Sequence, residues 1–128
     1  VNDAVNHPSH YRSHPSGVEA IDICEHCDFI LGNSIKYLFR CGHKDPVVQD
    51  LSKSAWYLRR ALAKTYRYTS LRHGHIPLSK VITWEPPGSV LRDVLELTLR
   101  KMVIGDPPRV ADALARVERE IAELSAKQ

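Results

Sequence analysis

Two stretches of this chain repeat apolar residues at the period of an α-helix, and that spacing limits the fold more than any other feature. Leu51, Ala55, Leu58 and Leu62 stand at i, i+4, i+7 and i+11; Val110, Leu114, Val117, Ile121 and Leu124 keep the same rhythm. A helix turns once in about 3.6 residues, so each set lines one face of a cylinder and must be buried against another element. A strand, with a period of two, would scatter the same residues over both of its faces. At 128 residues the chain is long enough to bury a core without disulfide or metal staples.

Gly and Pro divide the rest into segments. Residues 1–16, with Pro8 and Pro15, read as an irregular arm. Helix signals begin near Ser16-Gly17, and Val18, Ile21 and Cys24 recur at helical spacing. Gly32-Asn33 is expected to break that helix from a short second one carrying Ile35, Leu38 and Phe39. Arg40 in the last turn and Gly42 beyond it form a stop signal. Asp45-Pro46 opens a third helix that runs to about Tyr66. Residues 67–88 form a connector in which Val81-Ile82-Thr83-Trp84 reads as a strand or an extended tether. Ser89 caps a fourth helix with Leu91, Leu95, Thr98 and Met102 on one face, ended by Gly105; Asp106-Pro107-Pro108 starts a fifth. The expectation is an all-α domain of about five helices: an arm (1–16), a helical core (17–66), a connector (67–88) and an antiparallel helical hairpin (89–125).

Eighteen Lys and Arg against fifteen Asp and Glu give a net charge of +3, spread evenly over both halves. No dense basic patch results, so nucleic acid is not an expected partner. No run is long enough to span a membrane, and the N-terminus lacks the pattern of a secretory signal. Three Cys, an odd number, argue against a disulfide framework and for a cytoplasmic setting. Val94, Leu95, Leu97 and Leu99 look like more apolar surface than one small core can take, which predicts a homo-oligomer.

The candidate binding groups are cations and histidines near segment ends. Lys36 and Arg40, at i and i+4, share a helical face, and His43 and Lys44 follow just past its end. Arg offers a two-pronged fork for phosphate and Lys a point charge; a solvated basic edge is the competing reading. His7, His10 and Tyr11 form a second cluster able to donate to phosphate, shuttle a proton or stack on a base, or else simply to pin the arm. The Asn33 amide can read a base edge or cap a helix beginning at Ser34. Lys53 and Trp56 lie at i and i+3; Trp56 reads first as core and second as a stacking surface. Asp50 can cap a helix, pair with Arg40 or Lys53, or orient a histidine.

Other chemistries fit less well. The phosphate loop GxxxxGK[ST] is missing, so phosphoryl transfer would rest on side-chain cations; magnesium is compatible, but no motif requires it. Cys24-x-x-Cys27 followed by Cys41-x-His43 has the residue types of a zinc site, yet two Cys within a helix read as small buried apolar groups, and no metal site is assigned. Glu19-x-x-Asp22 and Glu25-x-x-Asp28 are similar to the paired acidic motifs of helical nucleotide pyrophosphohydrolases. Placed on one helix, however, they would fan around it as a solvated acidic face.

Several segments occur in a recognisable order: His7-Pro8-Ser9-His10-Tyr11, Gly17-Val18-Glu19, Leu31 through Arg40, Gly42-His43-Lys44, and Asp50 through Leu58. Over about residues 5–62 this order resembles a family of small phage proteins whose best-understood members act as deoxynucleoside monophosphate kinases. The resemblance implies phosphoryl transfer from a nucleoside triphosphate to a deoxynucleoside monophosphate. His10 and Arg40 would then be catalytic, with His7, Tyr11, Asn33, Lys36, His43, Lys44 and Lys53 binding substrate. The alternative is a protein that binds a nucleotide, or a nucleotide second messenger, without turning it over.

Overall fold

Capping chemistry sets where the helices begin. The computed structural model describes residues 14–64, 76–99 and 106–127, and six helices lie within them, with no strand among the described residues. The first, α1 (Ala20–Cys24), opens with a capping box in which the Glu19 N–H donates to Asp22 Oδ2 at 2.9 Å. In α2 (Phe29–Arg40), Asp28 is the cap and its Oδ1 accepts the Leu31 N–H at 2.8 Å. Gly42, at φ +84°, turns the chain after α2 in a conformation that costs glycine little. α3 (Val47–Ala63) follows directly. α4 (Leu78–Trp84) and α5 (Val90–Leu99) flank the Pro86-Pro87 turn, and the Ser89 hydroxyl accepts the Arg92 N–H at the start of α5. α6 (Pro107–Ala126) begins on two prolines, where missing N–H groups cost nothing.

α3 is the central element, packed on α2 along one side and on α6 along the other. α5 covers α6 and reaches α2; α1 rests on α2 and α4 on α5. One cluster runs through all of them, including Ile23, Leu31, Ile35, Leu51, Leu58, Val81, Leu95 and Val117. Each such large side chain, wholly removed from water, contributes roughly 1.5–3 kcal/mol. α5 and α6 run antiparallel. Arg109 at the start of α6 donates to the Leu97 and Glu96 carbonyls at the end of α5, and Arg116 reaches Asp93 and the Gly88 carbonyl at its beginning.

The all-α class and the hairpin agree with expectation; several local details do not. Gly32-Asn33 is no break, because α2 runs through it. A Cβ at position 32 would lie 3.2 Å from the Cys24 carbonyl, so glycine here permits the close approach of α1 to α2. The break comes earlier, at 25–28, where Asp28 caps α2 instead of joining an acidic face. The first apolar stripe is also re-phased: Ile23 faces the core, whereas Ile21 is 56 % exposed. Val81-Ile82-Thr83-Trp84 belongs to a helix, since Leu78, Val81 and Ile82 share a face and the Thr83 hydroxyl bonds back to the Ser79 carbonyl. Trp56 lies off the Leu51–Ala55–Leu58 line and is 54 % exposed, not core. Val94, Leu95 and Leu99 are fully buried within the single chain and Leu97 is half-buried, so the surplus that suggested an oligomer does not exist there. The expected extension to Tyr66 and the positions of Met102 and Gly105 lie outside the described residues. No helix among the described residues is long and apolar enough to cross a membrane.

Candidate functional site

On α2, Asn33, Lys36, Tyr37 and Arg40 follow one another at i, i+3, i+4 and i+7 and so share a face. α3 lies alongside and adds Asp50, Lys53 and Tyr57 at i, i+3 and i+7. The Tyr37 ring is the meeting point. Lys36 Nζ lies 4.6 Å from its centroid, the Arg40 guanidinium carbon 4.8 Å and Lys53 Nζ 5.3 Å. Tyr57 stacks against it at 5.9 Å, and Trp56 sets its edge on Tyr57 at 5.0 Å. An electron-rich ring face attracts cations, which lets three of them gather where they would otherwise repel.

The three cations are not equivalent. Arg40 is buried, and its Nη2 donates to Asp45 Oδ2 and to Asp50 Oδ1, both at 2.9 Å. Burial alone would lower its pKa; the hydrogen bond it donates to Asp50 and the charges of Asp50 and Asp45 outweigh that and hold it above the ordinary arginine value. Arg40 Nε and Asp50 Oδ2 have no hydrogen-bond partner among the described residues, so the pair forms half of the fork its geometry allows. Lys53 stands 3.9 Å from Asp45 Oδ2, a long contact for an ion pair, and is itself part-exposed. Lys36 has no carboxylate partner among the described residues. Both lysines are part-exposed.

Lys36 also lines a cavity of about 260 Å³ between α1 and the first turns of α2. Ile21, Cys24, Cys27, Phe29 and Gly32 make its mostly apolar wall, and Asp28 and Asn33 also line it. Burial pushes the Cys24 thiol up to about 12, partly offset by the Lys36 charge. Burial raises Cys27 still further, helped by Cys24 and Asp28. Cys41, beyond the end of α2, is pushed up to about 11 by burial and then by Asp50 and Glu120. With their pKa values raised in this way, all three are thiols rather than thiolates at ordinary pH. No group of three His, Cys, Asp or Glu among the described residues is placed to hold a metal ion.

The structure thus brings together Lys36, Arg40 and Lys53 from the sequence-derived set. Asn33 is inside α2, not at its cap; its Nδ2 donates to the Phe29 carbonyl at 2.7 Å. His43 and Lys44 are exposed in the turn after α2 and make no side-chain bond to the cluster. His7, His10 and Tyr11 lie outside the described residues. Sequence reasoning passed over Tyr37, Tyr57 and the cavity. The signal for the tyrosines was available: Tyr37 adjoins Lys36 and precedes Arg40 by three, and Tyr57 follows Lys53 by four.

A family model described as a protein of unknown function (DUF3310) matches residues 5–59, somewhat less than half of the chain. No curated protein and no solved structure matches. The expected kinship with phage nucleotide kinases is corrected by this finding. The matching family has no described activity, so neither phosphoryl transfer nor a phage origin carries over from it, and what the chain binds must be argued from its own residues.

Proposed function

We propose that the α2–α3 face binds a nucleoside phosphate, with its phosphate on Lys36 and Lys53. The observation that carries this is their convergence, from two different helices, on the single ring of Tyr37, within 4.6 and 5.3 Å of its centroid. Two part-exposed lysines drawn to one ring offer an anion a site whose side-chain ordering is partly settled before binding. Asp50 pairs with Arg40, and Asp45 pairs with Arg40 and approaches Lys53 at 3.9 Å, so two carboxylates stand against three cations and the cluster stays net positive.

Binding without chemistry fits these residues better than turnover. Arg40 is the group offered by the sequence for neutralising a transferring phosphoryl group. Here it is already paired with two carboxylates, and a phosphate would have to displace Asp45 to reach it. Titration calorimetry with deoxynucleoside mono- and triphosphates at low salt is the direct test. Saturable binding is expected, weakened about tenfold or more in a Lys36→Ala/Lys53→Ala variant and weakened by added salt. No heat and no thermal shift with any nucleotide would overturn the reading. Diphosphate formed from a monophosphate and a triphosphate, with or without magnesium, would replace it by a phosphotransferase.

A further inference from the structure

We infer that the cavity between α1 and α2 seats the planar base of the nucleoside phosphate; the inference rests on the nucleotide reading above and adds the place of the base. Three observations lead there. The first is size. At about 260 Å³ the cavity falls below the roughly 300–1,000 Å³ of sites that enclose a whole drug-sized molecule, so it takes one ring system and leaves the remainder outside. The second is its mouth. Phe29 is 77 % exposed and Ile21 56 %, two large apolar side chains beside an apolar cavity, where Phe29 offers a ring for stacking. The third is Lys36, which lines the cavity while its ammonium stands over the Tyr37 ring that Lys53 also approaches. One side chain therefore joins an apolar slot to an anionic seat, which is the division of a nucleotide into base and phosphate.

The lining charges set the direction. Asp28 caps the start of α2 and Lys36 lies about two turns further along the same helix, so a phosphate is repelled at the Asp28 end and lies at the Lys36 end. The Asn33 amide is oriented by its Nδ2 bond to the Phe29 carbonyl, and its Oδ1 accepts no hydrogen bond from a described residue. It is thus ready to accept an N–H from a base edge. The competing seat is the Trp56 indole, but its edge contact with Tyr57 ties it to the aromatic row, and it does not line the cavity.

Calorimetry with each deoxynucleoside monophosphate and with inorganic tripolyphosphate separates the possibilities. Both mouth residues are exposed, so an Ile21→Ser/Phe29→Ser variant should keep its fold, which circular dichroism checks. That variant should lose about tenfold or more in monophosphate affinity and keep its affinity for tripolyphosphate. Lys36→Ala/Lys53→Ala should weaken both, and Trp56→Ala neither. If the mouth variant binds the monophosphate as well as the parent, or if Trp56→Ala alone abolishes that binding, the cavity is not the base site, while tripolyphosphate binding still upholds the phosphate seat. If the parent protein binds neither probe, both readings fall.

Discussion

At the scale of single residues, Asp50 is the most constrained polar group. It is wholly buried, and Arg40 is its partner among the described residues. Neutralising Asp50 removes one of the two carboxylates that hold the buried Arg40 and leaves Asp45 as its remaining ion partner. An Asp50→Asn change, which preserves shape and opens no cavity, should cost about 1–3 kcal/mol of folding stability. Urea unfolding measures it; an unmoved midpoint would mean that the pair contributes nothing. The thiols give a second prediction, this one in pH. Cys24 and Cys41 titrate from about 9.0 in a free thiol to about 12 and about 11 in the fold. The unfolded chain therefore loses those protons first, and stability should fall as pH rises from about 9 toward 11, while native thiol labelling at pH 8 stays slow. Fast stoichiometric labelling of all three under native conditions would contradict the burial. Of these facts the sequence exposed some. Asp50 was open to pairing with Arg40, and the cysteines read as small apolar residues. The orphaned Arg40 Nε and Asp50 Oδ2 could not be foreseen, because they depend on the angle at which α2 meets α3.

At the scale of helices, the α2–α3 contact carries the site and has a polar rivet at its centre. The Ser34 hydroxyl donates to the Ser54 carbonyl at 3.1 Å and lies 2.8 Å from the Ser54 hydroxyl; both residues are fully buried. Ser34→Ala should cost about 1–3 kcal/mol by leaving a buried hydroxyl unpaired, whereas Ser34→Ala/Ser54→Ala together should cost less than the sum of the two single changes. Strict additivity in that cycle would show that the hydroxyls do not interact. Helices with long apolar stripes were legible in advance: α3 and α6 fall where their 3.6-residue periods put them. The short elements were not. α1 and α4 hold five and seven residues, too few for a period to establish phase, so spacing alone turns Ile21 inward and leaves Val81–Trp84 a strand or extended tether. The Gly32 reading failed for a different reason. A glycine inside a helix and a glycine that ends one look alike until the neighbour it must admit, here the Cys24 carbonyl, is in view.

Across the whole molecule, α3 stands between the candidate site and the C-terminal hairpin, touching α2 on one flank and α6 on the other. Lys53, Trp56 and Tyr57 project from the same helix whose Leu51 and Leu58 anchor the core, so the cationic face rides on the central element of the fold. The hairpin has its own fastening. Arg116 bonds Asp93, Glu120 and the Gly88 carbonyl at 2.7–2.8 Å, and those carboxylates hold its pKa up against the opposing effect of burial. Little of this assembly was visible in sequence, since periodicity tells which face is buried but not which partner buries it. The chain's two tryptophans bring a practical consequence. Trp56 and Trp84 are 54 % and 59 % exposed, so both indoles already emit from water in the native state. Denaturation will shift their fluorescence little, and an emission scan would mistake a cooperative transition for a featureless slope. Loss of helical ellipticity in the far ultraviolet is the signal that will track unfolding of this protein.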